Sequence, residues 1–352
     1  MDIKESYYQS QFVEAKCSRV RWLDVGKRQK KFLTSSYDSP RNEIAAWSIT
    51  EESELIDGSF ACECRLNVDA DVNDLLVYDA TKFAAATNDG TLRLLEYDEG
   101  VIKPIRKYSG VHDGSACNAL CYNDGKIISG SENGTIVCID LEGSTSLPIP
   151  LNMASIRSLA SVSKNICVSA HLDGQICVWD FREKLVSSSR PLYSCRVTDW
   201  FQGAISLAVH PAEPNLVGFG TEDGGIGFLD THPGSYLLNV ISVPFPVGTI
   251  WEIAFHPVYP SNLYCATGKG HLLHLSVKDD FTDSISNFKN EPRANAWLSS
   301  SVRSGNANVS TILDCLLSIN SFSISVNGII ACSDDQMITY IDKKYLGQSS
   351  PS

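Results

Sequence analysis

The chain is 352 residues long, with 41 acidic and 29 basic side chains, a formal charge of −12 and 43% hydrophobic residues. These values exclude whole-chain disorder and leave length for one large core or two to three ordinary domains. The acidic balance excludes a surface built to coat nucleic acid, which needs clustered Lys and Arg to displace counterions. The one basic run, Lys27-Arg28-Gln29-Lys30-Lys31, is of a kind that ordinarily forms a solvated loop.

In chain order, residues 1–9 open on the polar Met1-Asp2-Ile3-Lys4-Glu5-Ser6, which lacks the apolar stretch of a secretory signal. They are expected to form a flexible N-terminus. Residues 10–16 predict one strand. From there a single pattern recurs: a short apolar strand, a turn with Asp or Asn before Gly, and a second apolar strand. A degenerate copy runs from Lys31-Phe32-Leu33 through Tyr37-Asp38 to Ala46-Trp47-Ser48. Clear copies carry Asp89-Gly90, Asn133-Gly134, Asp173-Gly174 and Asp223-Gly224, and a weaker one carries Lys269-Gly270. A last degenerate copy joins Ile329-Ile330-Ala331 to Ile338-Thr339-Tyr340 across Asp334-Asp335. Residues 51–58 and 141–150 predict loops. The uncharged stretch 231–251 contains Pro233, Pro244, Pro246, Gly234 and Gly248, so it predicts strand plus loop rather than a membrane helix. Residues 276–311, rich in Ser, Asn and Asp, predict an inserted loop between the sixth and seventh units, with one strand near Ala296-Trp297-Leu298. Residues 347–352 predict a flexible tail.

Asp-Gly and Asn-Gly suit the positive φ of tight hairpin turns. The turn glycines at 90, 134, 174, 224 and 270 give a period near that of a propeller blade, four strands per unit. Val209-His210-Pro211 and Phe255-His256-Pro257 each close an apolar strand, and each His lies 14 residues before its turn glycine. Counting the degenerate copies gives seven units. The fold expected is all-β: one seven-bladed β-propeller over residues 10–346. Strand 10–16 pairs with 337–341 to close the ring, which otherwise leaves an exposed sheet edge.

Catalytic constellations are missing. No His-Glu-x-x-His, Gly-x-Ser-x-Gly or Walker pattern occurs. The Asp residues before Gly sit in turns of different blades and do not converge. His271 and His274 fall at i and i+3 of a strand and face opposite sides. The twelve cysteines include no Cys-x-x-Cys pair and mostly lie in apolar runs, as buried small hydrophobes in a reducing compartment. No cofactor, metal or small-molecule substrate is expected. What remains is surface. The starts of the innermost strands, Asn73-Asp74, Asn118, Ile156-Arg157 and Trp251-Glu252, ring the central mouth. Arg and Trp there are candidate hot spots for a protein partner.

The units resemble WD repeats, with Trp179-Asp180 keeping the name-giving dipeptide and Trp47-Ser48 a near match. Longer segments resemble the nucleoporin forty-three family of the Y-shaped nuclear pore scaffold. They are Arg19-Val20-Arg21-Trp22, Thr34-Ser35-Ser36-Tyr37-Asp38, Trp179-Asp180-Phe181-Arg182, Trp251-Glu252-Ile253-Ala254-Phe255-His256-Pro257 and Ser323-Ile324-Ser325-Val326-Asn327. The chain departs from that family in blade six, with Lys269-Gly270, Leu273, His274 and Leu275 where the family tends to carry Asp-Gly and two tryptophans. The resemblance implies a WD40-type propeller and a non-catalytic scaffold in the outer rings of the nuclear pore. Its partners would be α-helical scaffold nucleoporins of the short arm of the Y complex, with roles in protein and mRNA transport and at kinetochores. Binding to nucleic acid or insertion into a membrane is not expected. Trp179-Asp180-Phe181-Arg182 also fits the Trp-Asp-x-Arg signature of substrate receptors of cullin-type ubiquitin ligases, in which Arg182 would bond the adaptor.

Overall fold

The computed structural model describes residues 8–25, 30–50, 59–142, 149–150, 153–182, 190–197, 202–232, 238–241, 243–277, 295–298 and 307–343. These form seven four-stranded antiparallel sheets arranged as the blades of a closed propeller. The innermost strands, in blade order, are Cys17–Leu23, Val72–Val77, Cys117–Asn123, Ile156–Ser163, Ala204–Val209, Ile250–Phe255 and Ile319–Ser325. The second strand of each blade is buried on both faces, as in Lys82–Thr87 and Leu216–Thr221, which is why the repeat shows as an apolar run rather than an alternation.

Among the described residues the core is seven hydrophobic clusters, and each draws on two neighbouring blades. The cluster of Val20, Phe32 and Trp47 with Ile330 and Tyr340 joins blade one to blade seven. The ring is thus closed by packing and also by covalent continuity. Strand Tyr8–Phe12 is the outermost strand of blade seven, pairing Tyr8 with Ile341 and Phe12 with Met337. The partner is the segment expected, but the strand begins two residues earlier than the sequence pattern suggested, and Glu14 has already left it at φ 61°.

Two expectations are corrected. The segment 276–311 is not an insertion between blades. Its end enters strand Asn308–Asp314, which pairs with His271–Ser276 as the fourth strand of blade six, so the long excursion lies inside that blade. Ala296–Leu298 is a 3₁₀ turn, not a strand. Trp297 is buried, its ring centroid 4.7 Å from that of Phe228, and its Nε1 donates to the Pro260 carbonyl at 2.9 Å. The aromatic residue pins the excursion against blade five. Residues 51–58, 143–148, 278–294 and 347–352 lie outside the described residues.

The turns do what their composition suggests, with one refinement. Gly90 and Gly134 carry φ of 75° and 76°, whereas the preceding Asp89 and Asn133 work through their side chains. Asp89 Oδ1 accepts from Thr87 Oγ1 and the Thr91 N–H at 2.6 and 3.0 Å. A side chain at Gly134 would put a Cβ 2.2 Å from the Met153 carbonyl oxygen. His210 and His256 are equally structural: His210 Nδ1 accepts from the Glu213 N–H, and His256 Nδ1 from the Val258 and Tyr259 N–H groups. The WD dipeptide keeps a structural role too. Trp179 Nε1 donates to Ser169 Oγ at 2.7 Å, and that hydroxyl also bonds His171.

Candidate partner-docking site at the channel mouth

Every innermost strand breaks register with its neighbour at the same place. The shifts fall between Cys17 and Arg19, Val72 and Asp74, Cys117 and Ala119, Ile156 and Ser158, Ala204 and Ser206, Ile250 and Glu252, and Ile319 and Ser321. One residue per blade is therefore extra: Ser18, Asn73, Asn118, Arg157, Ile205, Trp251 and Asn320. A β-bulge leaves its extra residue unpaired and re-aims the side chain. Here all seven bulge residues line one cavity of about 240 Å³ at the channel mouth. The mouth lies on the face of the Asp-Gly turns, because the start of each innermost strand pairs with the end of the second.

Four of these positions spend their polar atoms within the protein, and three of them hold the ring shut. Asn73 Nδ2 donates to the Cys117 carbonyl at 3.0 Å, Asn118 Nδ2 to the Ile156 carbonyl at 3.3 Å, and Asn320 Nδ2 to the Cys17 carbonyl at 3.1 Å. Each thus clips its blade to the first residue of the next blade's inner strand. Ser18 Oγ is satisfied by Ser35 at 2.9 Å. One residue deeper, Asp74 holds Arg19 Nε at 3.1 Å and accepts the Leu120 N–H at 2.8 Å. Arg21 bonds Glu252 at 2.9 Å, while Glu252 also accepts from Ser321 Oγ and the Phe322 N–H. Burial opposes the charge on Arg19, but Asp74 and Glu252 outweigh it and move its pKa upward.

The remaining three positions, in blades four to six, are different. Arg157 makes no hydrogen bond or ion pair among the described residues, and burial, aided by the positive field of Arg19, moves its pKa down. Ile205 is apolar. The Trp251 Nε1–H is buried without an acceptor.

Of the residues singled out in the sequence, Asn73, Arg157 and Trp251 are brought together at the mouth. Glu252 lies just beneath, with its carboxylate engaged by Arg21. Arg182 is on the opposite face, exposed, and its guanidinium bonds Asp180 at 2.7 Å. Sequence reasoning missed Ser18, Ile205 and Asn320. In the basic run, Lys30 pairs with Asp342 and Lys31 with Glu63 at 3.0 Å, so the two described lysines are engaged internally.

No family model matches the chain. It is 24% identical to human nucleoporin Nup43 over 323 residues, 85% of this chain and 83% of the relative. This is a Nup43-like WD-repeat propeller. A nuclear pore complex protein, nup43 of Dictyostelium discoideum, is 24% identical over 174 residues, 47% of this chain and 39% of that protein. A chain in a crystal structure of the mitotic checkpoint complex superposes with a TM-score of 0.68 over 95% of this chain and 90% of that one, at 14% identity, a likeness of fold alone. Both of the curated relatives are named as nuclear pore proteins.

Proposed function

We propose that the chain is a non-catalytic structural nucleoporin of the outer-ring Y complex. It docks on α-helical scaffold nucleoporins of the short arm and supports protein and mRNA transport, with a second station at kinetochores in mitosis. The observation that carries this reading is the likeness to human Nup43 across 85% of the chain on a closed disc. At the mouth of that disc Asn73, Asn118 and Asn320 join blade to blade. Among the described residues no cluster of three or more His, Cys, Asp or Glu is placed to hold a metal ion. Docking would engage the disc by a face, with Asn73, Arg157 and Trp251 in its centre.

Affinity purification of the tagged full chain from its own cells tests the reading. Recovery of scaffold nucleoporins supports it. Recovery of none, or of a cullin and its adaptor lost on Arg182→Ala, overturns it.

A further inference from the structure

The two sides of the channel mouth differ in what they leave unsatisfied, and this determines what could enter. Most acids near the mouth already accept hydrogen bonds within the protein. Asp71 accepts from the Asp38 N–H, Asn42 Nδ2 and Asn88 Nδ2. Asp74 holds Arg19. Asp334 is bonded by Tyr37 and by Asn320 Nδ2. The carboxylates acting on Arg157, Glu132 and Glu222, do so without reaching ion-pair distance, and Glu222 accepts from the Gly203 N–H. The centre of this face presents one guanidinium, Arg157, that makes no hydrogen bond or ion pair among the described residues. It is flanked by the apolar Ile205 and the indole of Trp251, in a cavity of about 240 Å³.

We infer that the blade-four-to-six side of the mouth takes a single Asp or Glu side chain from an extended acidic segment of a protein partner. Arg157 pairs with the carboxylate, and Trp251 and Ile205 pack its aliphatic stem. This deepens the proposed function and rests on the reading of the disc as a protein-docking platform. A guanidinium matches a carboxylate in a bidentate fork. The cavity admits one side chain and its flanking backbone, whereas a helix needs a groove about 10–12 Å across. A lone Arg on an acidic surface does not suit a polyanion, whose binding grows with the number of phosphates neutralised.

The test follows indole N–H resonances of the ¹⁵N-tryptophan-labelled full chain. The Trp251 signal is assigned by its loss in Trp251→Phe, and the five others report the fold. The probes are blocked glycyl-glutamyl-glycine, its glutamine counterpart and an eight-nucleotide oligothymidylate. A saturable shift with the glutamyl peptide, half complete on the order of millimolar, is expected. The glutamine peptide should leave the signal in place, and Arg157→Gln should weaken the response at least about tenfold with the other five signals unmoved. If Arg157→Gln perturbs those five, Arg157→Lys takes its place and is expected to retain a weakened response to the glutamyl peptide alone. No shift, an equal shift with glutamine, a shift surviving loss of the guanidinium, or a preference for the oligonucleotide overturns the inference. Recovery of scaffold nucleoporins with the tagged chain is scored separately, so the mouth can fail as a carboxylate site while the scaffold reading stands.

Discussion

The mouth of the channel is built twice from one device. In blades seven, one, two and three the bulge residue is an asparagine or serine that spends its polar atoms on the protein itself. In blades four, five and six it is arginine, isoleucine or tryptophan, and no side-chain hydrogen bond is made from that position among the described residues. The backbone device is the same throughout, so the difference is one of side chains alone. A propeller whose neighbours already share seven hydrophobic clusters can release three of its seven mouth positions from structural duty. Those are the positions available for recognition.

The contrast can be broken most severely on the closed side. Asp74→Ala leaves Arg19 and the Leu120 N–H without their carboxylate and should cost about 3 kcal/mol or more in urea unfolding, as loss of one partner of a half-buried pair does.

Acid should act on the same side through His112. It is fully buried between Thr135 Oγ1 and Ser129 Oγ, and burial lowers its pKa from 6.5 to about 4. The unfolded chain then binds more protons below pH 6.5, so stability is whole above that pH and falls as pH drops toward 4. The loss from this residue is on the order of 3 kcal/mol. His112→Gln should flatten that slope of unfolding free energy against pH, and an unchanged slope would refute the assignment.

A sharper comparison is a double-mutant cycle at Asn73 and Asn118. Each change to Ala should cost about 1 kcal/mol. The pair should cost less than the sum, because Asn73 Nδ2 also reaches Asn118 Oδ1 at 3.3 Å. The smallest effect belongs to the open side. Trp251→Phe removes a buried N–H that has no acceptor, and its unfolding midpoint should match the parent within about 0.5 kcal/mol or exceed it.

Blade number and closure were legible in the sequence because both rest on local chemistry. Gly at positive φ, small apolar middle strands and a spare N-terminal strand all show in one-dimensional patterns. Four mouth residues, Asn73, Asn118, Arg157 and Trp251, were legible because a turn glycine sets the phase of each of their blades. Ser18 and Asn320 were not, since blade one has a longer turn with Asp38 at φ 49° and blade seven has Gln336 at φ 61° where the repeat has glycine. Ile205 looked like core. No alternation of apolar residues reveals a bulge, although a usable signal exists: Asn118 precedes Gly134 by 16 residues and Trp251 precedes Gly270 by 19. The outer strand of blade six was hidden behind its long excursion, where pairing depends on contacts distant in sequence.

Two bulge residues at equivalent places, Asn320 and Arg157, offer the most direct measurement: the urea midpoints of Asn320→Ala and Arg157→Gln, taken side by side with the parent. A clear drop for Asn320→Ala and an unchanged or higher midpoint for Arg157→Gln is the expected result. Equal losses in both would show that blade four is clipped like blade seven, and the division of the mouth into a closed and an open side would be wrong.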